Sequence, residues 1–290
     1  IRVGGIAYLL RLEGPGDGFR DPVRGYACMK IAARACIAPA VRYACAQDGV
    51  AIMDLIPERS LALDYAGTRK DLLTELGQTL RALHQTSPFP PLVDYLDGMD
   101  ALIGQFRSVG PADSAVAEAL SRYAQAAAVY RRLEPMPVSS HNDLNPRNLI
   151  YDGTRVWIID WESAFLADRY VDLAALANVF AQDGAQEDLL LQVYFGRAPD
   201  AAQRARLFLA RQINHVFYAM IFLNGVAAER PSTRVASRTR ACSCPCRDWR
   251  CGRSAAPTSC SPAPWGTRID AAPSAATAPQ RAARPPRDSR

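Results

Sequence analysis

The chain lacks any apolar run long enough to cross a bilayer. Its run near the end of the helical region, Val216–Leu223, falls far short of the ~18 residues a spanning helix needs. No secretory leader is read in the opening residues. A disulfide framework is missing too. Cys28, Cys36 and Cys45 stand in the body without a pairing pattern, and Cys242, Cys244, Cys246, Cys251 and Cys260 crowd towards the end. With no leader, they read as free thiols in a reducing cytoplasm. A zinc site on the late cysteines is disfavoured. Their spacing is not C-x2-C, and no histidine lies near them. The first residue is Ile, not Met, which leads us to expect a processed chain or a fragment.

Basic charge is absent from the body as well. The formal net charge is +5, yet the residues from Arg230 onward hold twelve Arg against three Asp. The remainder carries 22 basic and 26 acidic residues. The mildly acidic body gives little ground for nucleic-acid binding. Residues 230–290 contain no Leu, Phe, Tyr, Lys, Glu or Asn and are rich in Arg, Pro, Ala and Ser. Such a segment cannot bury enough apolar surface to offset its ordering entropy. It is expected to be disordered or translated out of frame. The whole chain has only two Lys, Lys30 and Lys70, which fits a GC-rich gene. Salt-sensitive binding of RNA or an acidic surface is the rival reading of this tail. No specific nucleic-acid partner is expected.

What is present centres on His141-Asn-Asp143-Leu-Asn-Pro-Arg-Asn148, followed by a hairpin and Ile159-Asp160-Trp-Glu162. Asn148–Tyr151 and Val156–Ile159 read as short apolar strands around Asp152-Gly153, a strong hairpin signal. The hairpin folds Asp160 back towards Asn148. Asp143 lies on the loop just before the first strand. Phosphoryl transfer asks for this set: a carboxylate near the attacking hydroxyl and two hard oxygen ligands for magnesium.

These residues, with Asp168-Arg-Tyr-Val-Asp172, resemble the catalytic segment of the choline kinase and aminoglycoside phosphotransferase superfamily. The resemblance implies a protein-kinase-like fold, α+β and bilobal. A small N-terminal β-sheet lobe at 1–56, partial in this chain, would precede a larger helical lobe at 57–229, with the tail at 230–290. It implies ATP and Mg2+ as cofactors. Asp143 would be the catalytic base, and Asn148 and Asp160 the metal ligands. His141 would brace the loop by hydrogen bonds. Asp172 would hold the catalytic loop from a helix start; it also reads as a plain N-cap.

The resemblance extends upstream. Ile6–Leu12 reads as a strand, and Arg11 in Tyr8-Leu-Leu-Arg11-Leu-Glu-Gly14 matches the phosphate-gripping cation. Arg24–Cys36 reads as a helix, and Val41–Cys45 with Val50–Leu55 as a second hairpin. Met53, Asp54, Leu55 and Ile56 would lead into the hinge where an adenine ring docks. Two departures stand out. The family's glycine hairpin over the phosphates precedes the point where this chain starts. Its helix glutamate, partner of the strand cation, also has no match: no Glu occurs between Glu13 and Glu58.

The rest is helical. Thr68 with Asp71 is a capping signal, and Leu72, Leu76, Leu80 and Leu83 form a stripe. Leu92–Phe106 carries Asp94, Asp97 and Asp100, which either face a cationic substrate or form a solvated face. Val116–Leu133, Asp172–Ala181, Gln186–Phe195 and Asp200–Ala227 complete the set. Phe217, Tyr218 and Phe222 lie where the resemblance implies late aromatics enclosing a quaternary ammonium, though the tryptophans expected there are missing, or they are core. The expected activity is transfer of the ATP γ-phosphoryl group to the hydroxyl of a small molecule. Ile159-Asp-Trp-Glu162 leans towards choline, ethanolamine or thiamine, with Glu162 facing a cationic substrate or capping the strand end. An aminoglycoside is the other acceptor, and a non-catalytic relative that binds nucleotide or a partner is the other class. The oligomeric state is not legible.

Overall fold

The computed structural model describes residues 1–14, 16, 19–59, 61, 63–109 and 114–229; the expectation for 230–290 falls outside them. Strand β1 (Arg2–Val3) turns through Gly4-Gly5 into β2 (Ile6–Leu12). Both glycines have positive φ, 57° and 82°, which a side chain rarely tolerates. Helix α1 (Pro22–Arg34) follows. Asp21 caps it by accepting from the Val23 amide, and Pro22 fits a first-turn position that needs no amide donor. Strands β3 (Val41–Cys45) and β4 (Val50–Asp54) then complete an antiparallel sheet in the order β1-β2-β4-β3.

Helix α2 (Arg69–His84) starts on a capping box between Thr68 and Asp71. Leu73, Leu76, Leu80 and Leu83 are its buried stripe; the last three are expected positions, while Leu72 is only partly buried against that core and Leu73 takes the deeper place. Helix α3 (Tyr95–Val109) starts three residues later than the spacing predicts. The Asp94 carboxylate accepts from the Leu96 and Asp97 amides and sets that start. Helix α4 is Ser114–Tyr130.

Strand β5 (Pro137–Ser140) leads into the motif loop, and β6 (Leu149–Tyr151) and β7 (Val156–Ile158) form the expected hairpin. Strand β8 (Phe165–Asp168) pairs back onto β5, with Ser140 opposite Phe165. This pairing is not legible in the sequence. It closes the loop carrying the motif into a frame. Helices α5 (Arg169–Phe180), α6 (Gly184–Phe195) and α7 (Ala201–Glu229) follow. The cap of α5 is Asp168, which accepts from the Tyr170 amide. Asp172 is therefore not the N-cap and is left for another task.

Two apolar cores result. One joins β4, α1, α2, the β6–β7 hairpin, α5 and α6, with Cys28, Leu73, Leu144, Val156 and Leu173 all fully buried. The other joins α3, α4 and α7 through Met99, Tyr123, Ile213 and Met220. No helix among the described residues is long and apolar enough to cross a membrane.

Candidate active site

The hairpin turn is built by Asp152. Its carboxylate accepts from the Thr154 and Arg155 amides and from the Trp157 indole. Burial alone would raise its pKa, but these donors hold it well below the usual range. Gly153 supplies the φ of 100°. The Ile159 amide donates to the Asn148 carbonyl at 3.0 Å, and the Ile158 amide donates to the Ile37 carbonyl at 3.0 Å. Ile159 thus sits opposite Asn148, with Asp160 one residue beyond. The hairpin is tied to the segment that enters the N-terminal sheet.

Asp143 and Asn148 are in direct contact. The Asn148 Nδ2 donates to the Asp143 carbonyl at 2.8 Å and to its Oδ2 at 3.1 Å. That commits the amide nitrogen and turns the amide oxygen away from Asp143. Asn145 Nδ2 donates to Asp143 Oδ1 at 3.0 Å. Tyr218, on α7, donates to the same oxygen at 3.1 Å. Sequence spacing placed Tyr218 among helix aromatics but held no signal for this contact.

Asp172 holds the loop. It is fully buried, and its Oδ2 accepts from the His141 amide at 2.8 Å and from His84 Nε2 at 3.1 Å. Its Oδ1 accepts from the Asn142 amide at 2.8 Å. Burial works to raise its pKa, but the His84 bond, the two nearby imidazoles and the backbone donor carry it below the ordinary value. An ionised Asp172 requires a proton on His84 Nε2, and the Tyr194 hydroxyl lies 2.7 Å from His84 Nδ1. Asn142 has φ 64°, a region Asn enters more readily than most residues. Its Nδ2 donates to the Ser163 carbonyl at 3.1 Å. His141 is fully buried and donates from Nε2 to the Ile159 carbonyl at 2.9 Å. It lies edge-on to Trp161 at 4.8 Å. His141 thus ties the loop before the hairpin to the strand end after it.

Asp160 has φ 66° and ψ 68°, a left-handed conformation uncommon outside glycine. Its Oδ1 accepts from Arg11 Nη1 at 2.7 Å. Arg11 also pairs with Glu13 at 2.6 Å and Glu162 at 3.3 Å. These carboxylates raise the Arg11 pKa although its burial acts the other way. The helix glutamate missing from the sequence is thus replaced by acids on β2's end and beyond Asp160. Helix α1 instead contributes Arg24, only 4% exposed, whose Nη2 donates to the Glu162 carbonyl at 2.6 Å and to the Phe19 carbonyl. Glu162 is held on the Arg11 side, with Arg20 at 3.7 Å.

Of the four expected hinge residues, Met53 and Asp54 end β4, and Leu55 and Ile56 follow it. Met53 is buried in β4, while Leu55 is exposed. The Asp54 carboxylate is spanned by Arg42 at 2.7 and 2.8 Å. The three acids of α3 meet Arg131, which reaches Asp97 at 2.8 Å and Asp100 at 2.7 Å.

A model of the phosphotransferase enzyme family known as APH matches residues 4–208. The chain belongs to that family. No curated protein matches it in sequence. Among solved structures, a choline/ethanolamine kinase family protein from Mesorhizobium loti is similar, with a TM-score of 0.65 and 18% identity over 78% of this chain and 76% of that one. Choline kinase LicA from Streptococcus pneumoniae matches with a TM-score of 0.62 and 14% identity, over 79% and 82%. A spectinomycin phosphotransferase solved with ADP and spectinomycin matches with a TM-score of 0.57 and 13% identity, over 81% and 80%. At such identities the likeness carries the fold, which is that of the protein-kinase-like phosphotransferases.

Proposed function

We propose that this chain transfers the γ-phosphoryl group of ATP to a hydroxyl of a small molecule, with an amino alcohol such as choline or ethanolamine as acceptor. The observation that carries the reading is the bonded Asp143–Asn148 pair with Asp160 beside it, on one hairpin braced by Asp172. Asp143 offers a carboxylate oxygen to the acceptor hydroxyl and takes its proton as the new O–P bond forms, help worth about 10²–10⁴-fold. Arg11 binds the phosphate oxygens. ATP fits the reading because LicA and the spectinomycin enzyme were solved with AMP and ADP.

The donor set fits magnesium. Asn148 has its amide nitrogen committed to Asp143, which leaves the amide oxygen for a metal. Asp160 has Oδ1 on Arg11 and keeps Oδ2. Two hard oxygens suit an ion that fills its remaining places with water and phosphate. When bound there, the ion supplies charge neutralisation on the phosphates.

A second reading, nucleotide binding without catalysis, is favoured by the Arg11–Asp160 bond, which occupies one oxygen of the metal ligand. Thermal unfolding with and without Mg-ATP tests both. Stabilisation that requires magnesium and vanishes in Asp160→Ala supports a metal–nucleotide site. Phosphorylation of choline, ethanolamine or spectinomycin then separates catalysis from binding and one acceptor class from the other. No magnesium-dependent shift in a well-folded chain counts against the metal–nucleotide site and the transfer proposed through it.

A further inference from the structure

Tyr218 reaches the catalytic loop from α7, next to Phe217, which packs on the core that α7 shares with α3 and α4. Its ring lies edge-on to Phe217 at 5.2 Å, and Phe217 packs on Tyr95 at 6.0 Å. Packing therefore limits where the phenol points. Its hydroxyl donates to Asp143 Oδ1, which already accepts from Asn145; Oδ2 accepts from Asn148 alone. A carboxylate oxygen offers two in-plane lone pairs. Oδ1 is then full, and Oδ2 keeps one open position. Burial and the charge of Asp143 push ionisation of the Tyr218 phenol far up, so it remains a donor at any working pH.

We propose that Tyr218 is a positioning residue: it fills Asp143 Oδ1 so that Oδ2 alone receives the acceptor's proton, and it ties the α3–α4–α7 core to the base. This rests on Asp143 being the base. The reacting atoms balance simply. The acceptor O–H proton passes to Oδ2 as the acceptor oxygen bonds to phosphorus and the bond to the ADP oxygen breaks.

The test is a double-mutant cycle on the full chain: wild type, Asp143→Asn, Tyr218→Phe and the double variant. Each is melted, and each is assayed for Mg-ATP turnover with choline, ethanolamine, spectinomycin or water as acceptor. Tyr218→Phe is expected to lower kcat about tenfold with KM for ATP unchanged. It should cause no further loss in the Asp143→Asn background. The two single melting shifts should also fail to add. A further loss in the double variant, or additive melting shifts, overturns the role of Tyr218 while leaving Asp143 as base. A wild type that is inactive, or indifferent to Asp143→Asn, overturns the phosphoryl-transfer reading and the positioning role with it.

Discussion

Two arginines in this molecule each hold three carboxylates. Arg131 grips Asp94, Asp97 and Asp100, which follow one another three residues apart at the start of α3. Arg11 grips Glu13, Asp160 and Glu162, which come together only after the sheet meets the β6–β7 hairpin. The α3 acids are the more exposed, near 60%, against 20–37% around Arg11. Equal chemistry thus has unequal weight. An exposed cluster is screened by water and contributes little. A half-buried cluster is screened less, and this one fixes Arg11 against Asp160. The α3 acids, open on sequence grounds to facing a cationic substrate, are occupied by an intramolecular cation.

The contrast can be broken most severely at Asp160. Asp160→Ala is expected to cost about 10³-fold in phosphorylation turnover, because metal-borne charge stabilisation is worth several kcal/mol. The same variant should lose the stabilisation of about 2.7 kcal/mol that a ligand at a hundred times its Kd confers, read by thermal unfolding with Mg-ATP.

Asp172 sharpens the comparison at the buried extreme. Asp172→Asn is expected to destabilise the fold by about 3 kcal/mol, since it leaves His84 and two amides poorly partnered, and chemical denaturation measures this. The folded pKa of Asp172 lies below its ordinary value. Its contribution is therefore complete above about pH 4 and is lost as pH falls through the folded pKa. The melting temperature of wild type should drop more steeply below pH ~4 than that of Asp172→Asn. Parallel curves would count against a paired, ionised Asp172.

Arg11→Gln should raise KM for ATP about tenfold, the loss of one charge-assisted contact, with a smaller effect on kcat. Arg131→Ala is expected to change stability by less than about 1 kcal/mol and to leave KM for ATP alone. If Arg131→Ala impairs turnover as much as Arg11→Gln, the distinction between the two clusters is wrong.

Local features were the legible ones. The Asp152-Gly153 turn, the Thr68–Asp71 box and the helices carry their signals within a few residues of themselves. Asp143, Asn148 and Asp160 were legible because one hairpin spans them. Strand β5 was not legible: four residues beginning with Pro137 show no distinctive alternation, and its partner β8 lies 25 residues later. Leu73 was missed for a similar reason. Leu72 and Leu73 both flank the line through Leu76, Leu80 and Leu83, and packing buries Leu73 the more deeply. Asp168 outcompeted Asp172 as cap because the β8 pairing ends there and starts α5 at Arg169.

By itself, then, the sequence determined the helices, the β6–β7 hairpin and the oxygen donors along it, because periodicity, turn chemistry and short spacing act within the local chain. Tertiary structure alone decided which partner each charge takes. Arg11 finds its acids at positions 13, 160 and 162, Asp172 receives the loop amides of His141 and Asn142, and Tyr218 crosses from α7 to Asp143. A charged or hydrogen-bonding group has no preferred partner at long sequence separation. Burial has to remove water first, and packing then leaves one partner within reach.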